Sequence, residues 1–488
     1  MGILVIDIGS SAVRTAVVNP DGSVVARHQM PFAAVQPMAG LVELDATALV
    51  RSALSAAKAS LEEARGVDAV GVTNQRGTTV VWDASSGEPI GPALSWQDLR
   101  TAGTCLELQA EGLRLAPNES ATKLAWLLDN FEKDRARDLR FGTLDSWVVW
   151  ALTEGAAHVT DRSNAGITGL LPTEAVLAGT ADLEWDPERL RRFAVPKEYM
   201  PTLVPSSGLV APATALPGSP PIAGIVGDQQ ASLMGQGCLR PGQAKATFGT
   251  GAFLDINIGG APPAFGGKSG ENGCLPIVAW ERSGVITWGI EALMISAGAA
   301  VSWLVDDVAL ITSPAQSAAV AAQCDDTGDV YYVPALIGLG TPQWDFGARS
   351  LFIGMSAGTG RPQLVRAVLR GIAQRGADLL EAAQADSGQQ VNRLRADGGM
   401  SANAVFVQEL ADACQRPVEI SAELEATSLG VAFLAGLATG TWSSDDELSE
   451  LAQPREIVEP GPEPRRARWK EAISRAERWI PELSALKF

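Results

Sequence analysis

Three short turns rich in Gly and Ser or Thr stand out in this sequence, because turns of this kind bind phosphate groups. The first, Asp7-Ile-Gly-Ser-Ser11, places a carboxylate beside consecutive small residues. Gly9 lets the backbone turn sharply, and Ser10 and Ser11 offer N–H and hydroxyl donors. Asp7 is suited to hold Mg²⁺ or its waters. The turn matches neither the GxxxxGK[ST] loop nor the GxGxxG loop of the best-known nucleotide motifs.

Two further turns follow in the second half of the chain. Gly249-Thr-Gly251 offers a second hydroxyl, and Asp397-Gly-Gly399 leads into a helix predicted over Ala404–Cys414. Glycines at a helix N-terminus let backbone amides approach a nucleotide closely. Each turn alone has an ordinary loop as its alternative. Three in this order, with a carboxylate in the first, favour the binding of nucleotide phosphates.

A buried strand is predicted to end in a carboxylate near the midpoint of the chain, in the run Ala223-Gly-Ile-Val-Gly-Asp-Gln-Gln230. Asp228 at that position is suited to accept the proton of a substrate hydroxyl as a general base. The alternative is that Asp228 only caps a short helix predicted over Ala231–Gly235.

Strands must position these residues. Alternating and buried apolar runs predict two hairpins around the first and second turns, over Ile3–Ile6 with Val13–Val18 and over Ala244–Phe248 with Phe253–Ile258. A helix capped by Asp45 is predicted over Ala46–Ala64, and a strand over Asp68–Val72. Strands that alternate with helices indicate an α/β sheet, whose sites lie beyond the carboxyl ends of its strands.

The two hairpins lie about half the chain length apart. This spacing is typical of two related α/β halves that face a shared cleft, although two unrelated hairpins would give the same pattern. We therefore predict two domains, residues 1–227 and 228–488, with the first turn in one and the second and third turns in the other.

Composition limits the possible partners. The 488 residues carry 38 Lys and Arg against 56 Asp and Glu, a net charge of −18, which disfavours nucleic acid and anionic membrane surfaces. Five scattered Cys without a CxxC indicate neither disulfides nor zinc, and they fit a reducing cytoplasm. The N-terminus lacks the pattern of a signal peptide. The long apolar run Val285–Val305 contains Glu291, so we predict a buried core helix rather than a membrane span.

Ten runs along the chain resemble those of the FGGY carbohydrate kinases, and within that family they are most similar to the glycerol kinases. They span nearly the whole sequence in the family's order: LVIDIGSSAVRTAVV, VGVTNQRGTTVVWDASSGEPI, LSWQDLRTA, FGTLDSWVVWALT, HVTDRSNAG, GIVGDQQASLMGQG, ATFGTGAFL, GLGTPQWDFGARSLFIGM, RADGGMSANAVFVQELAD and TSLGVAFLAGLATGTW. The resemblance implies an α/β, two-lobed, actin-like ATPase (ribonuclease H-like) fold, with duplicated domains around a nucleotide cleft.

The resemblance also implies roles for individual residues, with ATP and Mg²⁺ as cofactors. Asp7 would organise Mg²⁺ through water, and Asp228 would be the catalytic base. The ATP-binding residues would be Asp7, Gly9, Ser10, Ser11, Arg14, Gly249, Thr250, Gly298, Ser302, Gly398, Gly399 and Asn403. The substrate-binding positions would be Arg76, Gly77, Trp96, Asn118, Gln229 and Phe253.

Two of these positions depart from the glycerol-kinase pattern. Gly77 stands where those kinases carry a Glu that binds substrate hydroxyls, and Asn118 stands where they carry a pocket Tyr. A third departure, Ser302 in place of a Gln on the nucleotide side, we expect to matter little. Losing a carboxylate and a phenol removes hydrogen-bond partners and leaves volume, so glycerol would be held loosely. The double change Gly77→Glu with Asn118→Tyr is then expected to recover part of a glycerol preference.

We therefore expect a cytoplasmic, homodimeric kinase that phosphorylates a primary hydroxyl of a polyol or sugar, its substrate a four- or five-carbon molecule. The nearest alternative is a true glycerol kinase, which converts glycerol to sn-glycerol 3-phosphate. More distant alternatives are an Hsp70- or actin-like ATPase module without an acceptor, and a pseudokinase sensor. Arg76, Trp96 and the GDQQ run argue against the module, and Asp7, Thr250 and Asp228 against the pseudokinase.

Overall fold

The computed structural model describes residues 2–64, 66–422 and 426–486 of the chain. Its strands are β1 (Gly2–Ile8), β2 (Ala12–Val18), β3 (Val24–Pro31), β4 (Glu43–Leu44), β5 (Val67–Asn74), β6 (Val80–Asp83), β7 (Ala93–Leu94), β8 (Leu139–Gly142), β9 (Val159–Asp161), β10 (Thr202–Val204), β11 (Ser207–Pro212), β12 (Pro221–Gly227), β13 (Ala244–Phe248), β14 (Ala252–Gly259), β15 (Leu275–Arg282), β16 (Val285–Met294), β17 (Tyr331–Val333), β18 (Leu351–Ile353), β19 (Leu394–Asp397), β20 (Val418–Ser421) and β21 (Pro454–Val458).

Helices alternate with these strands over most of the chain. They are α1 (Ala46–Ala64), α2 (Ala102–Ala110), α3 (Ser120–Phe131), α4 (Leu144–Leu152), α5 (Arg162–Gly166), α6 (Thr173–Leu177), α7 (Pro187–Arg192), α8 (Asp228–Gly235), α9 (Gly298–Asp306), α10 (Gln316–Ala321), α11 (Arg361–Ser387), α12 (Ala404–Cys414), α13 (Ala426–Thr439), α14 (Asp445–Leu451), α15 (Arg466–Ala476) and α16 (Pro481–Ser484). The predicted α/β class is confirmed, and α1 and α12 have the predicted bounds.

A thirteen-stranded sheet runs through both halves of the chain, in the order β21-β20-β19-β13-β14-β16-β15-β11-β12-β5-β1-β2-β3. In the first half β1 pairs with β2 as a hairpin and with β5 in parallel, and β5 pairs in parallel with β12. In the second half β13 forms a hairpin with β14 and pairs in parallel with β19. Both halves thus repeat one arrangement, a hairpin beside a parallel strand, and both hairpins are those predicted around the first and second turns.

Registers place the strand ends that matter at one edge of the sheet. Ile8 of β1 lies opposite Asn74 of β5, and Asn74 lies opposite Gly227 of β12. The turns that follow these three strands therefore emerge side by side. In the second half Thr247 of β13 lies opposite Asp397 of β19, which brings the second and third glycine turns together in the same way.

Two large apolar cores support these halves. One is built from β1, β2, β5 and α1 of the first half, and the other from β13, β14, β16, α11 and α12 of the second. A third core joins them, because α13 packs against β1, β5 and β12.

Helix α8 crosses α13 at backbone contact distance. A Cβ on Gly235 would lie 1.9 Å from the Ala426 oxygen, and one on Gly430 would lie 1.8 Å from the Ala231 oxygen. Only glycine fits at both positions. The crossing fixes α8, whose first residue is Asp228, against the middle of the molecule.

The helix predicted over Val285–Val305 is wrong for its first half. Residues Val285–Met294 form strand β16, which pairs with β15 through a two-residue turn, and the helix α9 begins only at Gly298. Ser283 and Gly284 in that turn have φ of 50° and 76°, the backbone of the hairpin turns that suit twisted strands. The β-branched and aromatic residues of the run favour the strand, and the Ser-Gly pair was the signal that the prediction missed.

The predicted cap of α1 is confirmed. The Asp45 carboxylate accepts a hydrogen bond from the Ala48 N–H at 2.8 Å, which caps α1. All five cysteines are free thiols. Within the described ranges, none of the helices combines the length and the apolar character that crossing a bilayer would need.

Candidate active site

The first turn closes directly after β1. The Gly9 N–H donates to the Ala12 oxygen at 3.0 Å, and the Gln75 amide donates to the Gly9 oxygen at 3.0 Å. Asp7 is 5% exposed, and Arg14 Nη1 lies 3.4 Å from its Oδ2. Ser10 and Ser11 are exposed at the tip of the turn. The structure thus places a carboxylate, an arginine and two hydroxyls of the predicted set at one strand end.

The second turn is held by the N-terminus of α9. The N–H groups of Ala297 and Ala299 donate to the Thr250 oxygen at 2.9 and 3.0 Å, and that of Gly298 donates to the Gly249 oxygen at 2.9 Å. A Cβ on Gly298 would lie 2.5 Å from the Gly249 oxygen, so this helix start can approach the turn only as glycine. Thr250 is exposed. Ser302, one helical turn further along α9, is exposed as well.

The third turn packs against the same strand end. Gly398 has φ of 84°, and a Cβ there would lie 2.5 Å from the Phe248 oxygen, directly before Gly249. Gly399 beside it is exposed. The Asn403 side chain caps α12, accepting from the Phe406 N–H at 3.1 Å, and its amide donates to Ser317 Oγ at 2.9 Å. The second and third turns are therefore neighbours in space.

Asp228 is the first residue of α8 and does not act as its cap, a position that Gly227 takes. Its Oδ1 accepts from the Gln229 N–H at 2.8 Å and lies 3.7 Å from Arg76 Nε. The side chain is 28% exposed, so Asp228 is not sealed inside the protein. Burial raises the pKa of Asp228 above that of a free carboxyl, while the Arg76 charge opposes the rise. A raised pKa suits a general base that works near neutral pH.

Arg76 is held from the other half of the chain. Its Nη2 donates to Glu291 Oε2 at 2.5 Å, and Glu291 stands in the middle of β16. The guanidinium and the Glu291 carboxylate are 9% and 4% exposed. The ion pair fixes Arg76 beside Asp228, with Glu291 at its other end.

A second buried charge pair supports Gln229. Lys245 Nζ donates to Gln229 Oε1 at 2.5 Å and to Thr247 Oγ1 at 3.1 Å, and lies 2.7 Å from Asp255 Oδ2. Lys245, Asp255 and Glu291 face one another in register across β13, β14 and β16. Burial raises the pKa of Asp255 to about 7, against the attraction of Lys245.

The two positions that depart from the glycerol-kinase pattern meet in space. Gly77 has φ of 75°, and a Cβ on it would lie 2.5 Å from the Asn118 oxygen and 3.6 Å from Trp96 Cβ. The Trp96 N–H donates to Thr78 Oγ1 at 3.2 Å, which ties the Trp96 loop to the loop after β5. Phe253 is half-buried on β14, opposite Thr247 in the register.

This geometry changes one expectation. The backbone at Gly77 has the left-handed conformation that glycine favours, and the Asn118 carbonyl occupies the place of a Cβ. The substitution Gly77→Glu would be strained whatever the acceptor, so it is a poor test of specificity.

The residues at the first turn fit a magnesium ion that arrives with a nucleotide. Within the ranges that the structure describes, no three His, Cys, Asp or Glu side chains meet as a metal cluster. Mg²⁺ needs no such cluster, because it keeps several waters and binds one or two carboxylates together with phosphate oxygens. The Asp7 carboxylate beside the exposed turn is a donor of the right kind.

Three residues of this site were missed as functional candidates. Lys245, Asp255 and Glu291 lie in otherwise apolar strands, where charged residues are rarely fully buried unless paired. That unusual composition was the available signal. Which partners they have depends on strand register, which the sequence alone did not supply.

Family models match both halves of the chain. The N-terminal domain of the FGGY family of carbohydrate kinases matches residues 2–235, and its C-terminal domain matches residues 269–439. The chain is 40% identical to a glycerol kinase of Symbiobacterium thermophilum, covering 98% of this chain and 99% of that protein. It is 39% identical to glycerol kinase 2 of Thermotoga maritima, with the same shares covered.

Solved structures agree on the fold. A glycerol kinase of Plasmodium falciparum with ADP superposes with a TM-score of 0.87 at 27% identity, covering 100% of this chain and 99% of that one. A xylulose kinase of Brucella ovis gives a TM-score of 0.84 at 24% identity and covers all of both chains, which supports the fold alone. The actin-like kinase architecture that the family resemblance implies is confirmed.

Proposed function

Since the chain belongs to the FGGY family of carbohydrate kinases, phosphotransferases with an alcohol acceptor, we propose that it transfers the γ-phosphoryl group of ATP to a primary hydroxyl of a polyol or sugar. The observation that carries this proposal is the position of Asp228. Its side chain is partly exposed at the edge of the sheet where the Asp7 turn also emerges, and Arg76 Nε lies 3.7 Å from its Oδ1. A full-length match to carbohydrate kinases sets aside the ATPase module without an acceptor.

Asp228 would take the proton of the acceptor hydroxyl as its oxygen bonds to the γ-phosphorus. The bond from that phosphorus to the bridging oxygen breaks, and ADP leaves with the electron pair. Arg76, fixed by Glu291, would bind acceptor oxygens next to this base. Gln229, held by Lys245, would be oriented toward the acceptor in the same way.

The three glycine turns would bind the nucleotide. Ser10, Ser11 and Arg14 would contact its phosphates from one side and Thr250 from the other, while Gly298, Gly399 and Asn403 would line the adenosine pocket. Mg²⁺ bound to the phosphates would neutralise their charge, with Asp7 holding it through water. Neutralisation is needed here, because the chain as a whole carries a charge of −18.

The acceptor would be longer than glycerol, with four or five carbons. Gly77 and Asn118 supply fewer polar side-chain atoms than a Glu and a Tyr would, so glycerol hydroxyls would lose water without full replacement, at roughly 1–3 kcal/mol for each unsatisfied group. Trp96 and Phe253 would wall the carbon chain.

A true glycerol kinase is the second candidate. It is favoured by the glycerol-kinase names of relatives that are 40% identical over 98% of this chain. Other polar groups of the pocket would then bind the glycerol hydroxyls in place of the missing Glu and Tyr.

An ADP-release assay with the purified protein and Mg·ATP separates the candidates. The panel should hold glycerol, four- and five-carbon polyols and five-carbon ketoses, with ATP alone as the control. We expect a longer acceptor to exceed glycerol in kcat/KM. A preference for glycerol over every longer acceptor would establish the second candidate. ADP release that no acceptor stimulates would refute the kinase proposal.

Two further expectations remain proposals. The boundary between the two domains would lie between residues 227 and 228, and the active form would be a homodimer. Light scattering coupled to size-exclusion chromatography tests the homodimer. We expect a mass near twice the 51.0 kDa of one chain, and the mass of a single chain would contradict the proposal.

A further inference from the structure

Lys123 on α3 is a fully buried lysine that no predicted role includes. Its side chain is 0% exposed, and its Nζ donates to three backbone carbonyls. The distances are 2.7 Å to the Gly77 oxygen, 3.2 Å to the Ser95 oxygen and 3.1 Å to the Asn118 oxygen. An ammonium has three donors and no acceptor, so all of its hydrogen-bonding capacity is used.

Each of the three carbonyls belongs to a different loop of the proposed acceptor pocket. Gly77 follows β5, Ser95 directly precedes Trp96, and Asn118 precedes α3. Gly77 and Asn118 are the two positions that depart from the glycerol-kinase pattern. Lys123 therefore joins, at one atom, the loops that carry three of the proposed substrate contacts.

No carboxylate among the described residues contacts the ammonium. Over residues 2–64, 66–422 and 426–486, none of the ion pairs within 4 Å involves Lys123. Asp98 and Glu119 favour its charged form from further away, but Asp98 pairs with Arg100 at 2.8 Å and Glu119 with Lys268 at 2.7 Å. Placing a charge here costs free energy that an apolar side chain of equal size would avoid. What the lysine supplies in return is three hydrogen bonds to loop backbone.

We infer that Lys123 is a positioning residue for the acceptor, which fixes the loops of Gly77, Trp96 and Asn118 relative to one another. The kinetic consequence of this inference rests on the proposed function, whereas the contacts of Lys123 are independent of it. The Ser120 hydroxyl also donates to the Gly77 oxygen, at 3.3 Å, so α3 holds that loop at two points. Without the ammonium, the Ser95 and Asn118 carbonyls would each lose a charged donor.

A pH dependence follows from the burial. Burial lowers the pKa of Lys123 to about 7, with Asp98, Glu119 and the Cys105 thiol as the charged and titratable groups that act on it. Above this pH the amine keeps two donors for three carbonyls, so the loops loosen and the KM for the acceptor rises. In the unfolded chain the lysine stays protonated to about pH 10.4. The folded state thus binds fewer protons between pH 7 and 10, and the free energy of unfolding contributed by Lys123 rises over this window.

The two pH effects run in opposite directions, which separates positioning from a structural role. If Lys123 acted only through stability, the free energy of unfolding would rise with pH and the acceptor KM would not. If Lys123 positions the loops, the acceptor KM rises with pH. The KM for ATP serves as the internal control, because Lys123 contacts none of the nucleotide turns.

The test compares the wild type with Lys123→Met and with Thr122→Val. The matched control removes a buried hydrogen bond on the same helix, from Thr122 Oγ1 to Thr101 Oγ1 at 2.8 Å, at the far end of the connection between β7 and α2. It leaves the three carbonyls that Lys123 contacts untouched. We expect Lys123→Met to raise the KM of the best acceptor about tenfold, leaving the KM for ATP within twofold. Thr122→Val should leave both constants within twofold. In the wild type the acceptor KM should rise from pH 7 to 9, and in Lys123→Met it should be flat.

Amide hydrogen exchange at one fixed pH tests the loops without catalysis. Peptides that cover residues 76–80, 94–97 and 116–119 should exchange about tenfold faster in Lys123→Met than in Thr122→Val. If no acceptor is phosphorylated, the proposed function fails and this measurement still decides the inference. An unchanged acceptor KM, or unchanged exchange in the three peptides, would overturn it. If Lys123→Met does not fold, a wild-type acceptor KM that stays flat from pH 6 to 9 overturns it equally.

Discussion

The proposed acceptor side and the proposed nucleotide side of this site are built differently. The acceptor side consists of Arg76, Asp228 and Gln229 with their supports Lys245, Asp255 and Glu291. Its side chains are already bonded to one another, in contacts of 2.5–3.7 Å. The nucleotide side consists of the three glycine turns, and Ser10, Ser11, Thr250 and Gly399 there are exposed.

The difference lies in what holds the functional groups of each side in place. Charges on the acceptor side are fixed by partners within the protein before any substrate binds, which costs no reorganisation during the reaction. The turns of the nucleotide side present backbone and hydroxyl groups that a phosphate would complete. Substitutions on the nucleotide side should therefore affect activity, while those in the supports of the acceptor side should affect both activity and stability.

The largest effect is expected on the nucleotide side, from Asp7→Ala. Removing this carboxylate takes away the proposed protein contact to Mg²⁺, so turnover should be lost and ATP binding should depend less on Mg²⁺. Calorimetric titration of ATP with and without Mg²⁺ checks this. Normal turnover of Mg·ATP by the variant would refute the assignment of Asp7.

On the acceptor side, Asp228→Asn should lower kcat by about 10²–10⁴ while ATP binds as before, the usual contribution of a general base. Because burial raises the pKa of Asp228, kcat/KM of the wild type should fall with decreasing pH at values above the ordinary carboxyl range. The matched control is Asp445→Asn. Asp445 is likewise the first residue of a helix and pairs with Arg282 at 2.6 Å, outside the site. Equal kcat values for the two variants would reduce Asp228 to a structural residue.

Lys245→Met tests whether the acceptor side is coupled to stability. Breaking a fully buried ion pair leaves Asp255 uncompensated, at a cost of about 3–5 kcal/mol in the free energy of unfolding. The double change Lys245→Met with Asp255→Leu should recover most of this loss, because replacing both partners by apolar groups is often neutral. The acceptor KM should stay raised, since Gln229 still lacks its donor. Urea denaturation measures the stability of each variant, and acceptor kinetics measure the KM. An acceptor KM that returns to the wild-type value in the double variant would show that Lys245 does not hold Gln229 for the acceptor.

The smallest effect is expected at the pocket wall, from Asn118→Tyr. The phenol is longer than the Asn118 amide, so it fills pocket volume and carries its hydroxyl further from the backbone. The ratio of kcat/KM for glycerol to that for the best longer acceptor should therefore rise a few-fold. Competition between the two acceptors in one reaction measures the ratio directly. A ratio that does not change would mean that Asn118 does not set specificity.

Much of the nucleotide side could be predicted from the sequence, because each of its turns is local. A strand, a glycine and a hydroxyl within five residues suffice to indicate the turn around Gly9, and both predicted hairpins form as expected. The prediction of a helix over Val285–Val305 was wrong for its first half because the local signal was overlooked. An apolar run does not show whether it is buried as a helix or as a strand. The turn at Ser283 and Gly284 is the feature that distinguishes the two here.

The sequence by itself determined the α/β class, the two hairpins, the glycine turns and the family to which the kinase belongs, since these depend on residues close together in the chain. Only the tertiary structure decided the supports of the acceptor side. Arg76 and Glu291 are 215 residues apart in sequence, and Lys123 meets Gly77 across 46. Such contacts depend on strand register and on helix packing, which place distant residues together with no local pattern to mark them. A buried charge can be noticed in a sequence, but its partner is chosen by the fold.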